Sequence, residues 1–327
     1  MHWTAKPCYE ALRQRACVNL AIIINPHAGA VRKSQGLPSR IARSVGAQAS
    51  VHITPDLPAL ASVSAELAAK DVRTVAILGG DGSASHAITA LSRAYGDRMP
   101  RVAFIRGGTM NTVANGLGIS RHGSESLARR ACRAARDAHP RTLRRPALRV
   151  GERLGFLFGT GVFHGFMAEY YARGHGHPSP VTAATTLARC VGSSLVDGAT
   201  YGRVMKAPPL AVRFDHGRWP LAPYMTVAAG TVDQAGLGFR PFARSMREAG
   251  VFHLLAIHGS PMEVCRDLPR IWRGQGMRPA TANEASAHFA EISSAGQPFG
   301  YSIDGDLETA PGSLRLAIGP TLEVLRI

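Results

Sequence analysis

The feature that most limits what this chain can become is a unit used twice between residues 75 and 118: a short apolar run, a glycine-rich turn, then a helical pattern. Val75-Ala76-Ile77-Leu78 has the compactness of a buried strand and stops at Gly79-Gly80-Asp81-Gly82-Ser83. Ala87, Ile88, Leu91, Ala94 and Tyr95 then recur at helical spacing, with Ser83 as the expected N-cap. In the second unit Val102-Ala103-Phe104-Ile105 is the strand, Gly107-Gly108-Thr109 the turn, and residues 111–118 a short helix with Val113, Ala114 and Leu117 on its apolar side. Glycine at such a junction lets backbone N–H groups approach a ligand with no Cβ in the way, and a helix start adds partial positive charge. Either turn alone reads equally well as a tight bend. Two in succession, one carrying an acid and the other an amide, point to phosphate.

The preceding chain keeps the same alternation. Residues 18–24 read as a strand ended by the turn Asn25-Pro26-His27-Ala28-Gly29, residues 49–54 as a second strand closing in Thr54-Pro55, and residues 58–70 as a helix with Leu60, Val63 and Leu67 inward. Strand and helix in alternation predict right-handed crossovers and a parallel sheet covered on both faces. Ligands of such sheets lie beyond the carboxyl ends of the strands. Residues 25–29, Thr54, residues 79–83 and residues 107–111 are therefore expected to converge.

Residues 124–138 read as a helix, and after Pro140 the character changes. Segments from about 148 to 259 are short, glycine-bounded and alternating; residues 210–215, the His216-Gly217 turn and residues 219–229 resemble a hairpin, and residues 251–257 another strand. Residues 261–273 suit a helix despite Pro269, residues 288–293 and 299–303 suit strands, and residues 314–327 close the chain in apolar alternation. The expected architecture is an α/β domain over residues 1–145 followed by an all-β, sandwich-like domain over 146–327, with a cleft between them and the option that the last strand returns to the first domain. In the stretch Gly174-His175-Gly176-His177-Pro178 two histidines lack a third ligand nearby, which favours an exposed loop, with a lid over the cleft as one use of it, over a metal site.

No apolar run approaches the roughly 18 to 20 residues needed to span a bilayer, and the first residues lack a secretory apolar segment, so a soluble, cytoplasmic protein is expected. Cys8, Cys17, Cys132, Cys190 and Cys265 are scattered and form no C-x-x-C pair, which suggests reduced thiols. Lys and Arg number 38 against 22 Asp and Glu, a formal net charge of +16, with much of the arginine between residues 121 and 153. That excess suits solvent, or an anionic membrane met peripherally. Nucleic acid is not expected, because the basic residues are not interleaved with aromatics that stack bases.

The segments Gly79-Gly80-Asp81-Gly82-Ser83 and Gly107-Gly108-Thr109-Met110-Asn111-Thr112-Val113-Ala114-Asn115-Gly116-Leu117-Gly118-Ile119 resemble the paired signatures of the diacylglycerol kinase and sphingosine kinase family of lipid kinases. The first is shared with NAD kinases and phosphofructokinases; the second is more specific to lipid kinases. The resemblance implies an NAD kinase-like first domain, ATP and Mg²⁺ as cofactors, and a nucleotide site drawn from Asn25, Pro26, Gly29, Thr54, Gly79, Gly80, Asp81, Gly82, Ser83, Gly108, Thr109 and Asn111. It also implies a lipid substrate held between the domains, diacylglycerol and a sphingoid base both being open, with homodimerisation open as well. Asp304-Gly305 between alternating runs is on local grounds a hairpin turn. By the resemblance Asp304 would instead be the general base that takes the lipid hydroxyl proton. Asp81, aimed at phosphates, is expected to act through Mg²⁺ or as an acid/base group, or else only to favour the helix dipole.

Two departures stand out. Asp306 occupies a position where the family usually has Glu. Gly236-Leu237-Gly238-Phe239-Arg240-Pro241-Phe242-Ala243 matches a family segment, but its continuation Arg247-Glu248-Ala249-Gly250 keeps one acid where a structural magnesium would need a pair, so no metal ligands are assigned. The expected activity is transfer of the γ-phosphoryl group of ATP to a lipid hydroxyl. The alternatives are a weakly catalytic nucleotide- or lipid-binding regulator and an NAD kinase-like enzyme.

Overall fold

Five consecutive apolar residues, Leu20–Ile24, form β1, fully buried because helices cover both of its faces. The structure, a computed structural model, describes residues 19–173, 180–194 and 207–327; the leader read over residues 1–17 and the histidine loop at 174–178 lie outside them. After β1 come the helices α1 (Gly29–Lys33) and α2 (Leu37–Val45), then β2 (Ser50–Ile53), α3 (Leu57–Ala69), β3 (Thr74–Gly79), α4 (Asp81–Tyr95), β4 (Arg101–Arg106), α5 (Thr112–Gly116) and α6 (Ser124–Arg136). The strands pair in parallel in the order β2-β1-β3-β4, so their carboxyl ends present the turns at residues 25–29, 54–56, 79–83 and 107–111 along one edge. Asp56 caps α3 by accepting from the Ala59 N–H at 2.8 Å.

The remainder is mainly antiparallel. Its strands are β5 (Thr142–Val150), β6 (Arg153–Gly155), β7 (Leu157–Thr160), β8 (Leu210–Phe214), β9 (Gly217–Ala222), β10 (Thr226–Gly230), β11 (Phe252–Ile257), β12 (Ala282–Ala287), β13 (Phe289–Ser293), β14 (Phe299–Ile303), β15 (Asp306–Ala310) and β16 (Ser313–Leu325). The helices are α7 (Val162–Arg173), α8 (Pro180–Ser194) and α9 (Pro261–Trp272). Among the described residues, β12-β11-β10-β7-β14-β15 form a six-stranded sheet, and β16 joins β13, β8 and β9 to the parallel strands.

β16 is the link. It runs antiparallel to β5 along most of its length, breaks register between Ile318 and Thr321, and pairs in parallel with β4 at Val324 and Val102. Leu322, Val324 and Leu325 thereby complete the core of the first half, whereas Leu316 enters a second core between the two sheets with Phe158, Val227, Leu254 and Ile303.

Three readings of the sequence change. Residues 219–229 are not one strand: β9 ends at Ala222 and pairs with β8, while β10 starts at Thr226 in the other sheet. Ser83 is not the N-cap of α4, because the helix begins at Asp81 with Gly80 in the cap position. The β-rich half also carries α7 and α8, for which no helix was expected. Gly165 in α7 and the repeated Thr and Val of α8 lower the local helix preference.

Candidate functional site

The two glycine turns are built against each other. A Cβ on Gly108 would stand 2.4 Å from the Gly80 Cα, and one on Gly107 would stand 3.0 Å from the Gly79 nitrogen. The Gly107 N–H donates to the Gly79 carbonyl at 3.0 Å, and the Ala30 N–H donates to the Gly107 carbonyl at 2.9 Å, tying the first turn to the same stack. Glycine is therefore required here for backbone packed on backbone, a demand separate from approach to a ligand.

Asp81 shows the same economy. Its Oδ2 accepts from the Thr112 N–H and its Oδ1 from the Val113 N–H, both at 2.9 Å. Asn111, the residue before α5, sits at φ 49° and gives that helix no side-chain cap, so the acid of the first turn caps the helix of the second. Asn111 spends its amide on Gly108, accepting from its N–H at 3.0 Å and donating to its carbonyl at 2.8 Å. Burial pushes the Asp81 carboxyl up from its ordinary range, and the two amide bonds with the Arg106 charge oppose that rise.

Asp304 arrives from the other half. With Gly305 it forms the two-residue turn between β14 and β15, φ being 47° and 96° at the two positions, as an Asp-Gly hairpin turn requires. The hairpin reading and the site reading thus both hold, because the same residue turns the chain and lines the cleft. Asp304 is 5% exposed, and its carboxyl accepts from the Phe156 N–H at 3.0 and 3.2 Å and from the Leu157 N–H at 2.9 Å. Burial first, and then the charge of Asp81, holds it well above the usual carboxylate range.

Both acids line a cavity of about 480 Å³. Of the residues expected from sequence, Asn25, Gly29, Thr54, Gly80, Gly82, Ser83, Gly108 and Thr109 line it too. Pro26 does not, and Gly79 and Asn111 border a small void behind the turns instead. Asn25 Nδ2 donates to Ser83 Oγ at 2.7 Å, joining the first turn to α4.

Sequence reasoning noted Asp306 only as a departure from the family's Glu, and missed several other groups at the cavity. His86 lies on α4 one turn beyond Gly82, and Asp306 receives Arg153 Nη2 at 2.7 Å and His86 Nε2 at 3.0 Å. Burial raises the Asp306 carboxyl, but the bonds from His86 and Arg153 outweigh it and hold the group below its ordinary value. Arg153 also reaches Glu308 at 3.0 Å. A further wall is α7, through Phe163, Phe166, Met167, Tyr170 and Tyr171. Their spacing, three or four residues apart in pairs, was the available signal for a helix with one aromatic face.

Residues 19–144 match the family model described as the diacylglycerol kinase catalytic domain. The matched stretch contains the three turns and Asp81, and ends inside β5. Across nearly the whole chain the fold is similar to that of a diacylglycerol kinase from Bacillus anthracis str. Sterne, with 14% identity, a TM-score of 0.64, and coverage of 94% of this chain and 96% of that one. A second structure from that organism, provisionally named a diacylglycerol kinase, aligns with 15% identity, a TM-score of 0.68, and coverage of 94% and 97%. No curated protein matches the chain. None of the helices of the described residues is long and apolar enough to cross a membrane.

Proposed function

We propose that this protein transfers the γ-phosphoryl group of ATP to the hydroxyl of a lipid, a diacylglycerol or a sphingoid base. The observation that carries the reading is the meeting of Asp81, the stacked glycine turns and Asp304 around one cavity. Phosphoryl transfer asks a protein mainly to position groups and offset charge. The backbone around Gly80, Gly82 and Gly108, with Thr109, supports the phosphates, and Asn25, Gly29 and Thr54 border the nucleotide side. Asp304 takes the proton of the lipid hydroxyl as that oxygen attacks the γ-phosphorus. The bond from phosphorus to the bridging oxygen breaks, and its electron pair leaves on the β-phosphate of ADP. An elevated carboxyl suits this work, since a base is most effective when its pKa lies near the working pH.

The family implies a divalent metal. Among the described residues no group of three or more His, Cys, Asp or Glu could hold a metal ion. The amides bound by Asp81 and the cations bound by Asp306 leave no protein cage, which suits a Mg²⁺ carried mainly by phosphate oxygens and water with those two cavity-lining carboxylates beside it. When bound it supplies neutralisation of phosphate charge. The segment after Gly238 has no metal set either: Arg145 Nη1 donates to the Ser245 carbonyl at 2.7 Å, and Arg244 meets Glu284 at 3.2 Å.

In this reading residues 1–145 hold the nucleotide, residues 146–327 the lipid, and the net charge of +16 favours peripheral contact with anionic membrane. The ion pairs on Asp306 favour a second reading, a regulator that binds without transfer. Purified protein with Mg-ATP, offered diacylglycerol vesicles, sphingosine and NAD in parallel, separates these. Labelled lipid is expected; binding without product supports the regulator, and labelled NAD overturns the lipid assignment.

A further inference from the structure

α7 forms the side of the cleft that faces the acids. Phe163, Phe166 and Met167 give it an apolar surface, and Tyr171 ends that surface with a hydroxyl over the β14–β15 turn. The Tyr171 Oη lies 3.3 Å, and the Met167 Cε 3.5 Å, from the point where a Cβ on Gly305 would stand. Tyr171 is 38% exposed, and no hydrogen bond joins its hydroxyl to another described residue. Burial, followed by Asp306, Tyr170 and Asp81, pushes its ionisation up to about 12, so the phenol stays an O–H donor at physiological pH.

The carboxylates nearby are committed. Asp81 holds the amides of residues 112 and 113, Asp304 those of 156 and 157, and Asp306 the cations of Arg153 and His86. A cationic head group finds no unpartnered acid at this turn, because Asp306 is already neutralised by Arg153 and His86. A neutral head group rich in acceptor oxygens finds a donor without an acceptor, placed where apolar wall gives way to the phosphate turns. We infer, on the basis of the kinase reading above, that Tyr171 is a substrate contact that donates its hydroxyl hydrogen to an ester carbonyl oxygen of a neutral glycerolipid, favouring a diacylglycerol over a sphingoid base.

Initial rates test this with three acceptors in mixed micelles: 1,2-dioctanoylglycerol, the 1,2-dioctyl ether that lacks both carbonyls, and sphingosine. Wild type is expected to favour the diester over the diether by about tenfold in kcat/KM, the size of one hydrogen bond. Tyr171→Phe is expected to abolish that preference through KM for the diester, leaving KM for ATP and Tm unchanged. Equal use of diester and diether by wild type, or a preference that survives in Tyr171→Phe, overturns the inference and leaves the kinase reading standing. Sphingosine used faster than the diester overturns the selection of a neutral head group. Transfer to none of the three overturns both.

Discussion

Replacing Asp304 with Asn separates its two roles. Asn accepts a positive φ and forms the same two-residue turn with Gly305, so the hairpin should survive. With its oxygen at the Oδ1 position, Asn keeps the 2.9 Å bond from the Leu157 N–H and the 3.2 Å bond from the Phe156 N–H. Its amide nitrogen then replaces Oδ2, which now accepts from Phe156 at 3.0 Å, so one good acceptor is lost. The cost is about 1 kcal/mol, a Tm lower by roughly 2–4 °C or less. With Asp304 as the proposed base, kcat should fall about 10²- to 10⁴-fold while nucleotide affinity holds. The pH dependence carries its own sign. The folded-state pKa is raised above the unfolded value of about 3.9, so the folded chain binds the proton more tightly and wild-type stability declines as pH rises from there through the raised pKa. Asp304→Asn should lack that decline, and the acidic limb of the wild-type rate profile should lie above the ordinary carboxylate range. Denaturant titrations across pH, with kcat measured in parallel, provide the check. Transfer at near wild-type rate, or loss of cooperative unfolding, would refute the assignment of a base on a self-sufficient turn.

Other expectations follow from the same geometry. Gly108→Ala drives a Cβ to 2.4 Å from Gly80 and should cost about 1–3 kcal/mol with weakened ATP binding, whereas Gly123→Ala, with nothing within 4 Å, should stay within about 0.5 kcal/mol by chemical denaturation. Asp81→Ala removes the cap of α5 and should lower stability by about 1–3 kcal/mol, with faster hydrogen exchange at the amides of residues 112 and 113. Asp306, held low by His86 and Arg153, adds stability that is present above the unfolded carboxylate value of about 4 and lost as pH falls below it. Arg153→Ala should weaken that acid dependence, leaving the part due to His86, and cost about 1–2 kcal/mol by urea titration, the pair being partly exposed.

The elements of the first half could be read in order because β1, β3 and β4 are each built around an unbroken apolar run. Leu20–Ile24, Thr74–Gly79 and Arg101–Arg106 fall where the pattern put them, and the turns between them carry the phosphate signatures. Asp304-Gly305 was legible as a turn for the same local reason. The sequence could not show that Asp81 faces the N–H groups of a helix thirty residues away, since in-trans capping leaves no periodic trace. Nor could it show the Arg153, His86 and Asp306 cluster, whose members are distant in the chain and common as surface charges.

By itself, then, the order of residues determined the alternation of strand and helix, the two glycine turns and the hairpin at Asp304, because each depends on neighbours within about ten positions. Tertiary structure alone decided which charges are neutralised and which stay elevated. It did so by carrying β16 across to β4, joining the halves at the Val324 and Val102 register and placing a buried carboxylate from one half within the field of another. Burial and the Coulomb coupling of remote groups depend on distance through space, which sequence separation does not encode.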